Sequence, residues 1–303
     1  MFVLNPDPYL LPSYRISPFV TSDIRFNNSL PDDDNIDDYF LDRFTGRRFY
    51  YTFNGRAALR IALSNYDLHE DDIVTIFTTS GNHYISSCVT REITSFCKWS
   101  RDIEIGTKLI LVNHEFGLPY AELMELKKKG IPIIEDCAHS FFSKDKDNKI
   151  GNVGDFVIYS FPKMFPIQVG GLLVCNAPKN MKQSNLIDIV MLKYIKNVLS
   201  YHIKSEREII KKRIHNFNYL RNKFELSDFS ARFHSDCGTI PGVFMFRTDR
   251  RRIDLPELKQ YFYAHGIQCS VFYGEEAFFI PVHQALNEDD MDYFHEVMLS
   301  FIK

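Results

Sequence analysis

No run of about eighteen apolar residues occurs in the 303-residue chain, which leaves no candidate for a membrane-spanning helix. No charged-then-apolar leader opens it, so nothing in the sequence points to secretion. Cysteine is sparse: the six residues Cys88, Cys97, Cys137, Cys175, Cys237 and Cys269 include no C-x-x-C pair. That spacing speaks against zinc or any other metal site and for reduced, mostly buried thiols. An excess of one charge is also lacking. With 36 basic and 39 acidic residues, the formal net charge of -3 offers no field for nucleic acid or another polyanion. What remains is a composition 45% hydrophobic and 25% charged, expected of a soluble, cytoplasmic globular chain with one large domain and a small one.

The densest information lies between Ile131 and Gly171. Ile131-Pro132-Ile133-Ile134 is short and apolar throughout, as a parallel strand buried on both faces requires, and it ends in Glu135-Asp136-Cys137-Ala138-His139. Asp136 therefore falls at the carboxyl edge of a sheet, where open α/β folds bind ligands. A second strand, Asp155 to Tyr159, is followed by Ser160 and Lys163, and a third, Gly171 to Cys175, comes next. Taken singly, a strand-end aspartate reads as a cap and a lone lysine as a solvated charge. Together, an aspartate, a serine and a lysine converging on one rim match the needs of pyridoxal phosphate. A carboxylate keeps the pyridine nitrogen protonated, a lysine amine holds the aldehyde, and a hydroxyl donates to the phosphate.

These residues resemble the DegT/DnrJ/EryC1/StrS sugar aminotransferases. The pattern E-D-x-A-H/Q is met by Glu135, Asp136, Ala138 and His139; G-x-x-G-D by Gly151, Gly154 and Asp155; and a lysine seven residues before a Gly-Gly pair by Lys163 and Gly170-Gly171. The resemblance implies an α/β fold of type I among pyridoxal-phosphate enzymes: a three-layer α/β/α large domain with a mostly parallel sheet, plus a small C-terminal α+β domain. It implies that Asp136 pairs with the pyridinium nitrogen, His139 lies near the ring, Ser160 binds phosphate and Lys163 bonds the cofactor. Two departures stand out. Ser160 and Lys163 are only three apart, and Val169, preceded by Gln168, stands where an acidic residue is common.

Elsewhere, Asn54 reads as the N-cap of a helix carrying Ala58, Leu59, Ala62 and Leu63. Its first turn makes Gly55 and Arg56 candidate phosphate ligands. In the loop Thr78 to Tyr84, which follows the strand Asp71 to Phe77, the resemblance implies an aromatic stacked on the ring, His83 or its neighbour Tyr84, with His83 the candidate. The expected organisation is an irregular arm over 1–45 with a short helix from Asp37 to Arg43, a cofactor-binding domain over 46–180, a connecting helical region over 181–224 and a small domain over 225–303. The charge run Lys211-Lys212-Arg213 reads as the solvated face of the connecting helix. The asparagine-tyrosine-arginine segment usual after the third strand is missing.

The function the resemblance implies is transfer of an amino group from glutamate, the amino-acid donor, to a nucleotide-linked keto-sugar (nucleotide sugar), for surface polysaccharide or glycan synthesis, by a homodimer. Two alternatives stand beside it: another reaction or carbonyl substrate on the same cofactor, and a catalytically silent partner subunit. Relatives that dehydrate sugars carry histidine in place of the lysine, and Lys163 points away from that chemistry.

Overall fold

A computed structural model describes residues 12–147, 150–176, 187–233 and 238–303. The first eleven residues of the arm, residues 181–186 of the expected helical region, and Cys237 lie outside the described residues. The described chain opens with helices α1 (Asp23–Asn28) and α2 (Asn35–Arg43) and strand β1 (Arg48–Thr52). The chain continues through α3 (Gly55–Ser64), β2 (Ile73–Thr78), α4 (Ser87–Thr94), β3 (Lys98–Ser100), β4 (Thr107–Asn113), α5 (Leu123–Lys128), β5 (Ile133–Asp136), β6 (Phe156–Ser160) and β7 (Gly171–Cys175). Two long helices, α6 (Ile189–Ile203) and α7 (Glu206–Glu225), lead to β8 (Phe244–Arg247), α8 (Leu255–Ala264), β9 (Ser270–Val271), β10 (Ala277–Ile280) and α9 (Glu288–Phe301).

The first seven strands form one sheet in the order β1-β7-β6-β5-β4-β2-β3. From β6 to β3 the pairing is parallel, while β7 runs antiparallel to both β6 and β1. Every residue of β5 and β7 is buried, because helices cover both faces; β7 is apolar throughout, while β5 passes from Ile133-Ile134 to the buried carboxylates of Glu135 and Asp136. On one face α3 and α4 pack Ala58, Leu59, Ala62 and Ile93 against the strands. On the other, α2 and α6 enclose an aromatic cluster that includes Phe40, Phe141, Phe161 and Phe165. Each fully buried phenylalanine contributes roughly 1.5–3 kcal/mol relative to an exposed one. A second, antiparallel sheet, β8-β10-β9, carries its own core of Phe224, Phe246, Phe262 and Phe294 between α7, α8 and α9.

Register sets the working edge of the large sheet. Thr78 pairs with Asn113, Asn113 with Asp136, Ser160 with Gly171, and Gly171 with Thr52. Strand ends far apart in sequence thus form a single rim.

Three expectations change. The arm holds α1 as well as α2, and α2 starts at Asn35 rather than Asp37. The connecting region is two helices separated at Lys204-Ser205. Its charge run is not a uniformly solvated face, because Ile209, Arg213, Phe217, Leu220 and Phe224 recur at helical spacing on the buried side of α7. Arg213 is 0% exposed.

Candidate active site

A cavity of about 780 Å³ opens over the rim, within the range that holds small-molecule ligands. Asn54, Gly55 and Arg56 line it together with Asp136, His139, Ser160 and Lys163, and Tyr84 and Cys88 line it as well. Arg15 and Lys259 also line it.

Asn54 caps α3, its side-chain oxygen accepting from the Ala57 amide at 2.9 Å. The first-turn amides of Gly55 and Arg56 have no intrahelical partner, and with the helix dipole they suit an anion. A Cβ on Gly55 would lie 3.2 Å from the Ser160 Cβ and 3.7 Å from its hydroxyl oxygen, so the serine stands beside these amides. The Arg56 guanidinium donates to the Cys88 sulfur at 2.7 Å. Burial pushes the Cys88 thiol up, but the Arg56 and Ser86 contacts outweigh it and leave the thiol more acidic than usual.

Asp136 is 4% exposed. Its carboxylate accepts from the Asn113 side-chain amide at 2.9 Å and from the Ala138 backbone at 3.0 Å. Burial still raises its pKa, partly countered by those two bonds and by His114 and Lys163. A buried carboxylate with so little cationic support is arranged to meet a positive group.

Beneath it, Glu135 is fully buried and accepts four bonds: from Gly151 (2.7 Å), Val153 (2.8 Å) and Gly154 (2.6 Å) amides and from His114 Nε2 (3.1 Å). Because the Tyr120 amide donates to His114 Nδ1 at 3.0 Å, the imidazole proton sits on Nε2 and points at Glu135. Burial would raise the Glu135 pKa, but the His114 hydrogen bond and the glycine amides hold it below the usual value. The G-x-x-G-D segment is therefore a collar for Glu135. Asp155 completes it by accepting from the Ile133 amide at 2.8 Å.

Lys163 ends a single 3-10 turn, Phe161–Lys163. Burial lowers the pKa of its amine, with Cys88 and Asp136 opposing the shift. His139 packs its ring 5.3 Å from that of Phe116, and burial together with the Lys163 and Arg213 cations keeps it neutral.

The expected residues Gly55, Arg56, Asp136, His139, Ser160 and Lys163 all line the one cavity. His83 does not: it is exposed and lines a separate hollow with Arg101 and Tyr120. Tyr84 takes its place, drawn inward by contacts with Phe116 and Phe272. Sequence reasoning passed over Asn113, Glu135, Cys88 and Arg213. The Asn113-Asp136 pairing needed strand register, and Glu135 needed the question of which anion two nearby glycine amides serve.

Comparison with known proteins places this geometry. Residues 95–194 match the DegT/DnrJ/EryC1/StrS aminotransferase family. Over that segment, about a third of its length, the chain is similar to this family. It is 31% identical over 144 residues to the GDP-perosamine synthase of Escherichia coli O157:H7, a match covering 41% of this chain and 39% of that protein. It thus spans no more than about two fifths of the length of the curated relatives it matches. The fold is similar to that of the aminotransferase TlmJ from Streptoalloteichus hindustanus, with a TM-score of 0.74, 13% identity, and 92% of this chain and 94% of that one covered. It is also similar to Escherichia coli GDP-4-keto-6-deoxy-D-mannose-3-dehydratase with bound hydrated PLP, at a TM-score of 0.68, 15% identity, and coverage of 95% and 99%.

Proposed function

We propose that this chain is a pyridoxal-phosphate-dependent aminotransferase that carries an amino group from glutamate to a nucleotide-linked keto-sugar. The observation that carries the reading is that Asp136, at the end of β5, and Lys163, on the turn after β6, line one cavity together with the helix N-terminus at Gly55 and Arg56. The residues fit the cofactor: amides and a hydroxyl for phosphate, a buried carboxylate lacking a strong cationic partner, and an amine of depressed pKa.

When bound, pyridoxal phosphate supplies an aldehyde that bonds to amines and a ring that accepts electrons. The Gly55 and Arg56 amides and the Ser160 hydroxyl bind the phosphate. Asp136, fixed by Asn113 and Ala138, holds a proton on the pyridine nitrogen. Tyr84 and neutral His139, which line the same cavity, would supply aromatic surface for the ring. Lys163 Nζ, its pKa lowered by burial, would in its neutral form take the proton from the α-carbon of the donor and return it one position along.

The keto-sugar rests on the name of the GDP-perosamine synthase relative, and on Arg15 and Lys259, two cations lining the cavity that suit a nucleotide's phosphates. A lysine at position 163 favours amination over the dehydration named for one structural neighbour. The reading includes a homodimer working in the cytoplasm for surface polysaccharide synthesis; among the described residues no helix is long and apolar enough to cross a membrane.

The test is to supply cofactor, glutamate and a panel of GDP-, UDP- and dTDP-linked keto-sugars and look for 2-oxoglutarate and an amino-sugar formed together by mass spectrometry. A protein that binds the cofactor yet forms neither product with any of them contradicts the proposal.

A further inference from the structure

Arg213, from the middle of α7, is fully buried and makes no salt bridge with a carboxylate among the described residues. Its donors go to neutral oxygens: Nη2 to the Lys163 carbonyl at 3.0 Å, Nη1 to the Pro241 carbonyl at 3.2 Å and Nε to Gln284 Oε1 at 2.8 Å. Gln284 then donates through Nε2 to the next carbonyl of the same turn, that of Met164, at 2.8 Å. Taking a guanidinium out of water without a counter-charge is costly, and burial brings its pKa down to about 9. Such an arrangement calls for a purpose beyond packing.

The contracted spacing from Ser160 to Lys163 provides one. The chain leaves β6 through a lone 3-10 turn, closed by the Met164 amide on the Phe161 carbonyl at 2.9 Å. A turn that does not continue leaves its last carbonyls without helical partners. Arg213 and Gln284 supply those partners. Holding the Lys163 carbonyl fixes the peptide plane from which the side chain projects, so fewer of the lysine's rotamers remain open at the moment it must bond.

We propose that Arg213 and Gln284 are positioning residues that lock the backbone of the Lys163 turn so that its amine is aimed for bonding to the cofactor. The inference rests on the cofactor reading above. It concerns the bond in which the amine adds to the aldehyde carbon and water leaves, forming a carbon–nitrogen double bond. Pyridoxamine phosphate has the same ring and phosphate but an amine where the aldehyde stands, so it cannot form that bond.

That difference supplies the test. Dissociation constants for pyridoxal phosphate and pyridoxamine phosphate are measured for the wild type and for Arg213→Met, Arg213→Lys and Gln284→Glu. Gln284→Glu keeps an acceptor for Arg213 but sets an oxygen against the Met164 carbonyl, and it retains the test if an Arg213 variant fails to fold. Each folded variant should bind pyridoxal phosphate about tenfold more weakly, while pyridoxamine phosphate binding stays within about twofold. Arg213→Lys should behave like Arg213→Met, because an ammonium cannot span the three acceptors. Equal weakening of both ligands, unchanged pyridoxal phosphate binding, or rescue by Arg213→Lys would overturn the proposal. A wild type that binds neither ligand would instead sink the cofactor reading and this inference with it.

Discussion

Gly171 lies flat against the backbone of Asn54: a Cβ on Gly171 would stand 2.6 Å from the Asn54 carbonyl carbon and 2.8 Å from the Gly55 nitrogen. The close approach joins β7 to the start of α3 and so sets where the phosphate-facing amides sit. Gly171→Ala should force the helix away, lower stability by about 1–3 kcal/mol and weaken pyridoxal phosphate binding. Denaturant melts and cofactor titration check this; normal values for both would show that the contact has slack.

Glu135 anchors the fold rather than the chemistry. Replacing it with glutamine turns an amide donor toward at least one of the donors it now accepts from, so Glu135→Gln should cost about 3 kcal/mol at neutral pH. The folded pKa lies below the ordinary glutamate value of 4.5, so its stabilisation is complete above that value and is lost as pH falls through the depressed one. The gap between wild type and variant should therefore close in acid. A gap that stays constant to low pH would show that charge plays no part.

Lys163 is a site residue held at the expense of stability. Its folded pKa is lower than the ordinary 10.5, so below the folded value the buried ammonium destabilises the cofactor-free protein, and the penalty fades as pH rises to the ordinary value. Lys163→Met should melt a few degrees higher than wild type at neutral pH, with the curves converging above the ordinary lysine pKa. It should also lose all cofactor-dependent activity. A lower melting temperature at neutral pH would contradict this account of the amine.

Tyr84 and His83 are neighbours in sequence but line different hollows. His83→Ala should leave cofactor affinity within about twofold, whereas Tyr84→Leu should weaken it by about tenfold through lost ring contact. Cofactor titration of the two variants decides the matter, and the opposite order would return the role to His83.

The core strands were legible because burial on both faces leaves apolar runs, as in β7 and in the Ile133-Ile134 start of β5. The rim was legible because Asp136, Ser160 and Lys163 follow such runs directly. Edge strand β3 was not, since its three residues carry no periodic signal and two of them are exposed. His83 and Tyr84 could not be separated, because the twist of a loop decides which side chain turns inward. Arg213 was hidden by its company: beside Lys211 and Lys212 it reads as surface charge, although its spacing from Ile209 and Phe217 places it on the buried stripe of α7.

The most direct test of the account is to load the protein with pyridoxal phosphate, reduce it with borohydride and map the modified peptide by mass spectrometry. The account predicts a single label on Lys163, absent from Lys163→Ala. Label on another lysine with Lys163 unmodified, or no label despite full loading, would contradict it.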